Sequence, residues 1–105
     1  MYKVIKKSEA SLRIITENKR SLNFITKNIN PEVSLAITEG EKYFEEEIAK
    51  YNRIYFVLEG QLILTFDKEK IILEINDCCY IDKGTKYTMS GTFKTIVVNQ
   101  PAFGT

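Results

Sequence analysis

Short apolar runs separated by polar turns, about ten residues apart, fill the last two-thirds of the chain. Within 61–66, Leu62, Leu64 and Phe66 share one face of an extended backbone, because successive side chains of a strand point to opposite faces. The strands predicted from such runs are 54–58, 61–66, 71–75, 78–81, 87–89 and 95–98. Regular short strands with turns between them predict an all-β sandwich or barrel.

The first forty residues carry a weaker pattern of the same kind. Strand candidates lie at 12–16, 22–25 and 33–38, separated by polar segments at 17–20 and 28–31. No internal repeat, low-complexity tract or linker divides the sequence. We therefore predict one domain over residues 1–105, a length within the usual range of ~100 to 150 residues.

Composition narrows the possible partners. The chain has 15 basic and 14 acidic residues, so its net charge of +1 creates no strong field for nucleic acid or an anionic membrane. No stretch approaches the ~20 apolar residues of a membrane helix, and the N-terminus lacks the apolar core of a signal peptide. We expect a cytoplasmic protein that has neither nucleic acid nor membrane as a partner.

The two cysteines are adjacent, at Cys78 and Cys79, in a predicted strand. Their side chains are expected to point to opposite faces, which does not suit a disulfide. Two cysteines in a chain without histidine also make a poor zinc site, because zinc takes four N or S ligands.

Two motifs that each contain two glycines span residues 40–91. The first consists of Gly40, Glu46, Ile48, Arg53 and Gly60, and the second runs from Asn76-Asp77 through Tyr80-Ile81-Asp82-Lys83-Gly84 to Tyr87 and Gly91. Together they resemble the two motifs of the cupin superfamily, whose members are small jelly-roll β-barrels. The resemblance implies an all-β, cupin-like jelly-roll β-barrel (a double-stranded β-helix). It also implies an inward-facing strand near 41–51, although the Glu, Lys and Ala found there favour a helix.

The residues at the metal-binding positions of the family differ here. In cupins the two motifs supply two histidines, a glutamate and a further histidine to a metal, and the matching positions here are Glu46, Ile48, Arg53 and Tyr87. Ile48 has no donor atom, and Arg53 is a permanent cation that would repel a metal ion. We predict that the protein has no metal and no other cofactor. This prediction excludes the metal-dependent dioxygenases and isomerases of the family.

Four side chains are expected to line the barrel interior. Alternation along the strand places Arg53 and Tyr55 there, and the motif adds Glu46 and Tyr87. On one interpretation these residues bind a small polar or anionic molecule. On the other, Glu46 and Arg53 neutralise each other and the tyrosines fill the space, since buried charges are usually paired. The triplet at 45–47 is interpreted as a strand with two solvated carboxylates, and Tyr43, Phe44 and Tyr51 as core rather than a ligand-binding rim.

The function predicted from these residues is a metal-free cupin that binds a small polar or anionic molecule. Two alternatives are enzymes: a sugar-modifying isomerase or epimerase, and an acetate-kinase-like cupin. The second is suggested because the tail at 97–102 resembles that of the ethanolamine-utilisation cupin. The isomerase would need a base other than histidine, which the chain lacks. A third alternative is a structural or regulatory subunit with a filled barrel. The resemblance further implies a homodimer in which residues before Pro31 contribute to the interface.

Overall fold

The computed structural model describes residues 1–105 and is built almost entirely of β-strands, as predicted. The strands are β1 Ser11–Thr16, β2 Lys19–Ile25, β3 Ser34–Ile48, β4 Asn52–Gly60, β5 Leu62–Phe66, β6 Glu69–Leu73, β7 Cys78–Ile81 and β8 Lys86–Gln100. A single turn of 3-10 helix at Lys7–Glu9 precedes them. The prediction of a strand rather than a helix near 41–51 is confirmed over the residues that belong to β3.

The strands pair in antiparallel fashion in the order β1-β2-β3-β8-β4-β7, and β5 connects β8 to β6. The two central strands, β3 and β8, have 15 residues each and pair with one another from end to end. The later part of β8 also pairs with β4, while residues 88–90 pair with β5. The long strands therefore pass from one layer of the jelly roll into the other. The runs at 87–89 and 95–98, predicted as two strands, are parts of this one strand.

A β-bulge interrupts β3 where it passes between the two layers. Gly40 lies opposite Phe93, but Tyr43 lies opposite Gly91, so β3 has one more residue than β8 across this step. Lys42 takes a positive φ of 44° there, and its amide donates to Thr92 Oγ1 at 3.0 Å. An extra residue reverses which side chains face inward. Even-numbered residues of β3 face the interior before the bulge, and odd-numbered residues face it afterwards.

The apolar core occupies the half of the barrel where β4, β5 and β8 meet. Val57, Leu62, Leu64 and Met89 are completely buried there. Gly91 has a φ of +117°, and a Cβ at this position would lie 2.6 Å from the carbonyl oxygen of Gln61, so the close approach of the two strands requires glycine. The other half of the barrel is more polar and is covered by β1 and β2. No helix in the structure has the length and hydrophobicity to cross a membrane.

Candidate functional site

Arg53 is the centre of a hydrogen-bonded network inside the barrel. Its Nε donates to Asn99 Oδ1 at 2.7 Å, and its Nη1 donates to both oxygens of Glu47, at 2.9 and 2.8 Å. Nη1 also lies 2.9 Å from the hydroxyl of Tyr87 and 3.4 Å from that of Tyr55. The Arg53 side chain is only 6% exposed, and the ion pair with Glu47 neutralises its charge.

Two phenols complete the network. The Tyr87 hydroxyl donates to Glu47 Oε2 at 3.0 Å, and the hydroxyls of Tyr55 and Tyr87 are 2.8 Å apart. Because Tyr87 uses its proton on Glu47, Tyr55 is the donor in the bond between the two phenols. The network therefore fixes the guanidinium from several directions.

The network keeps its members in their ordinary charge states. Burial raises the pKa of Tyr87, and the neighbouring Tyr55 raises it further, against the opposing effect of Arg53. Burial likewise raises the pKa of Tyr55, while Arg53 lowers it. Burial would lower the pKa of Arg53, but Tyr55, Tyr87 and Glu47 together outweigh this and raise it. Both phenols are therefore neutral, and the guanidinium is a cation.

The sequence-based placement of Glu46 was wrong. Glu46 lies on the outer face, where its side chain is 61% exposed and 3.9 Å from Lys86 Nζ. Glu45 and Glu47 face the interior instead, the reverse of the prediction for the triplet, and Ile48 is exposed. The cause is the bulge at Lys42, which shifts the alternation of β3 by one residue. The carboxylate that neutralises Arg53 is that of Glu47.

A second ion pair lies further along the same face of β3. Lys19 Nζ donates to Glu45 Oε2 at 3.2 Å and sits 5.0 Å from the centre of the Tyr43 ring. The Lys19 side chain is only 12% exposed, whereas that of Glu45 is 32% exposed. Burial and the charge of Glu45 raise the pKa of Tyr43 to about 12. The sequence pattern does not predict this pair, because the polar residues at 17–20 are typical of a connecting segment. Alternation of Lys19 with Ser21 and Asn23 was the available signal.

Both ion pairs border a cavity of about 370 Å³ between β1, β2 and the interior of the barrel. Arg53 and Tyr55 line it, whereas Tyr87 lies behind Arg53 and stacks on Phe66 at 5.9 Å. The remaining lining is mostly polar and includes Ser21, Asn23, Ser34, Thr38 and Asn99. Tyr43 and Tyr51 are buried, as the core interpretation predicted, but Phe44 is 65% exposed.

The side chains in the barrel do not fit a transition metal. The inward positions that correspond to the metal ligands of the family are Glu45, Glu47, Arg53 and Tyr87, and both carboxylates there are bound to cations. No group of three or more His, Cys, Asp or Glu side chains that could hold a metal ion occurs in the structure. The Arg53 guanidinium lies 2.8 Å from Glu47 Oε2, so a cation is already bound where a metal ion would need a ligand. The absence of a metal stays a prediction.

Solved structures with the same architecture are cupins. KdgF from Halomonas sp. aligns with a TM-score of 0.86 over 99% of this chain and 97% of that one, at 11% identity. An RmlC-like cupin from Shewanella frigidimarina aligns with a TM-score of 0.79 over 92% and 88% of the two chains, at 13% identity. This chain has the cupin fold. At such identities the likeness shows the fold alone and not a shared activity.

Two further relatives extend the comparison. The EutQ protein of Clostridium difficile aligns with this cupin at a TM-score of 0.77 over 95% of this chain and 75% of that one, at 22% identity. The uncharacterised protein YdbB of Bacillus subtilis (strain 168) is 33% identical over 93 residues, which cover 86% of this cupin and 81% of YdbB. This cupin and YdbB therefore belong to one family. No protein-family profile matches the chain.

Proposed function

We propose that this cupin binds a small anionic molecule in its barrel through Arg53. The supporting observation is that Nη2 of Arg53 makes no hydrogen bond within the protein, although Nε and Nη1 are fully engaged. Every fully buried side-chain nitrogen and oxygen in the structure has a hydrogen-bond partner. Because Nη2 has none, it is not fully buried, and it is accessible from the cavity that Arg53 lines. A guanidinium held on one edge and free on the other is suited to an acceptor such as a carboxylate or phosphate.

The charge of the cavity favours the same kind of ligand. Four basic residues line it (Arg13, Lys19, Lys27 and Arg53) against two acidic ones (Glu45 and Glu47), which leaves an excess of two positive charges. A volume of about 370 Å³ lies in the range of small-molecule sites. On this proposal Tyr55 contacts the ligand, and Tyr87 and Glu47 hold the guanidinium in position.

The open volume of the cavity supports this proposal over a subunit with a filled barrel. The enzymatic alternatives, a sugar isomerase or an acetate-kinase-like activity, use the same cavity and require ligand binding first. KdgF and EutQ share the fold at 11% and 22% identity, and their names carry no activity to this chain. Binding is therefore the property to measure before any reaction.

The test is calorimetric titration of the protein with acetate, malonate and inorganic phosphate, together with Arg53→Lys. Lysine keeps the positive charge beside Glu47 but has a single nitrogen, so it cannot also present a free donor to the cavity. We expect at least one anion to bind the wild type and to bind Arg53→Lys at least about tenfold more weakly, since a charged hydrogen bond contributes ~1.5 to 3 kcal/mol. Arg20→Gln is the control, because Arg20 pairs with Glu39 outside this cavity. Absence of binding to the wild type, or equal binding by Arg53→Lys, would overturn the proposal.

We also propose that the protein is a homodimer in the cytoplasm. The outer face of the sheet formed by β1, β2, β3, β8 and β4 carries an apolar row of directly opposite residues, and we call it the apolar outer face. The row consists of Leu12, Leu22, Ile37, Ile96 and Phe56, and a second row contains Leu35, Val98 and Ile54. These residues are half-buried, except Leu12 and Ile54, which are exposed, and a contiguous apolar patch on an outer face is typical of an interface. The two free cysteines, Cys78 and Cys79, suit a reducing compartment.

A charged border supports the proposal that the partner is a second copy of the chain. Arg20, Glu39, Lys94 and Glu59 follow one another across the strands at one end of the apolar outer face, and consecutive members form ion pairs of 2.7, 3.9 and 3.9 Å. Two cations and two anions leave this border neutral. Two copies related by a two-fold axis can therefore meet without like-charge repulsion, and the apolar rows form the centre of the interface.

A further inference from the structure

We infer that the anion bound by this cupin is a hydroxy acid, with its carboxylate on Arg53 and its hydroxyl on Glu45. This inference rests on the proposed function and adds the second group of the ligand. It follows from the position of Glu45, its unused acceptor capacity and the charge around it.

Glu45 and Arg53 border the same open space. Glu45 and Glu47 are two residues apart on β3, so their backbones are about 7 Å apart on one face of the strand. Arg53 is bound to Glu47, and Glu45, Glu47 and Arg53 all line the cavity. A molecule of a few carbon atoms can therefore contact the guanidinium with one end and Glu45 with the other.

Glu45 has capacity for another donor. It accepts one hydrogen bond, from Lys19 to Oε2, and its Oε1 accepts none within the protein. An ionised carboxylate offers about four acceptor positions. The Glu45 side chain is 32% exposed, more than that of Glu47 at 22%, which accepts bonds on both oxygens. Glu45 is thus the carboxylate in the cavity that is suited to accept from a ligand.

The charge of the cavity favours a hydroxyl as that donor over an ammonium group. Lys19 already neutralises Glu45, and Arg13, Lys27 and Arg53 add positive charge to the lining. A cation brought by the ligand would therefore meet a lining that already has an excess of positive charge. A hydroxyl donates one hydrogen bond to Glu45 without adding charge. The ligand therefore has a carboxylate at one end, which accepts hydrogen bonds from Arg53, and an uncharged hydroxyl at the other end, which donates to Glu45.

The test compares ligands that differ by one hydroxyl. Butyrate, 2-, 3- and 4-hydroxybutyrate and 4-aminobutyrate are titrated into the wild type and into Glu45→Ala by calorimetry. We expect at least one hydroxybutyrate to bind the wild type about tenfold more tightly than butyrate, the effect of a hydrogen bond of ~1.5 kcal/mol to a charged acceptor. In Glu45→Ala this advantage is lost, while butyrate still binds through Arg53.

Glu46→Ala is the matched control, because Glu46 is the next residue of the same strand but faces outward. It should keep the full advantage of the hydroxyl. If Glu45→Ala does not fold, Glu45→Gln replaces it, and we expect the advantage to fall to about threefold or less. Equal binding of butyrate and all hydroxybutyrates, or tighter binding of 4-aminobutyrate, overturns the inference and leaves the proposed function standing. If none of the carboxylates binds and phosphate does, the inference is also wrong. If no anion binds, the proposed function fails with it.

Discussion

At the scale of single residues, the ion pair between Arg53 and Glu47 predicts that Glu47 contributes more to stability than its neighbour Glu46. Glu47→Gln removes the charge that neutralises a guanidinium with 6% exposure, and we expect it to lower the free energy of unfolding by about 2 kcal/mol. Glu46→Gln changes an exposed side chain with a 3.9 Å contact and should stay within about 0.5 kcal/mol of the wild type. Urea denaturation of both variants measures the difference. Equal losses would show that Glu47 is not the partner of Arg53.

The same pair predicts strong non-additivity. Arg53→Met alone leaves the half-buried Glu47 carboxylate with only the Tyr87 hydroxyl as a donor, and Glu47→Met alone leaves the guanidinium unpaired. Each should cost about 2 to 4 kcal/mol, whereas the double substitution should cost less than their sum, because it leaves no unpaired charge. A double-mutant cycle by urea denaturation gives the coupling. Additive losses would contradict the network described for the barrel.

Tyr43 predicts how the protein responds to alkaline pH. Its pKa is raised from 10.0 to about 12, so between these values the unfolded chain loses the phenol proton while the folded chain keeps it. The contribution of Tyr43 to stability is therefore complete below pH 10 and decreases as the pH rises towards 12. We expect Tm to fall over this interval and to fall less steeply in Tyr43→Phe. Tyr2→Phe, at an exposed position, should reproduce the wild-type slope.

Metal content is a separate prediction. Because Lys19 and Arg53 neutralise the two inward carboxylates of β3, the purified protein should contain no stoichiometric transition metal. Elemental analysis of tag-free protein after dialysis checks this. One equivalent of iron, manganese, nickel or zinc would contradict it.

Much of the site is predictable from simple alternation. Arg53 and Tyr55 were placed inside the barrel because they alternate along one strand, and Tyr87 because of the second motif. Glu46 was misplaced because the extra residue at Lys42 is set by the meeting of two layers, which no local pattern records. Lys19 is harder to predict, because it stands beside a turn and only its alternation with Ser21 and Asn23 indicates that a strand begins there.

At the scale of elements, the bulge in β3 positions the acidic side chains and depends on an unusual backbone at Lys42. A left-handed conformation costs an L-residue roughly 1 kcal/mol, and most for β-branched side chains. We expect Lys42→Val to lower the free energy of unfolding by about 1 kcal/mol and Lys42→Gly to leave it unchanged or raise it slightly. Thermal denaturation of both variants gives the comparison.

Lys70 provides the control for the bulge. It is exposed and pairs with Thr65 in the regular part of β6. Glycine weakens a regular strand, so Lys70→Gly should cost about 0.5 to 1 kcal/mol. Equal losses for Lys42→Gly and Lys70→Gly would show that the positive φ at Lys42 carries no strain.

Strand positions were more predictable than strand lengths. The bounds of β7 agree with the prediction at 78–81, and the hairpin of β5 and β6 was predicted from its polar tip. The lengths of β3 and β8 were not predicted, because both continue through a corner between layers where polar and small residues interrupt the apolar pattern. Gly91 lies at that corner in β8.

At the scale of the whole molecule, the apolar outer face predicts the oligomeric state. Light scattering at micromolar concentration should report twice the 12.2 kDa mass of one chain. Ile54 lies within this face and is 39% exposed, so a charge can be introduced there without entering the core. We expect Ile54→Glu to be monomeric, because a carboxylate in the centre of an apolar interface would lose its hydration.

Ile72→Glu is the control for the dimer. Ile72 is an exposed residue of β6, outside the apolar outer face, and its substitution should leave the dimer intact. Dimers of Ile54→Glu, or a monomeric wild type, would show that the face does not join two copies. The variant Leu12→Glu, in β1, tests whether residues before Pro31 contribute to the dimer interface. We expect it to weaken the dimer as well.

The bulge gives this corner of the barrel a spare residue. If Lys42 were deleted, Glu41 would lead directly into Tyr43, and the pairing of Tyr43 with Gly91 could continue as a regular ladder. Glu45 and Glu47 would then still face inward, and Arg53 would keep its carboxylate. A shortening of the chain by one residue at Lys42 is therefore expected to preserve the charges inside the barrel.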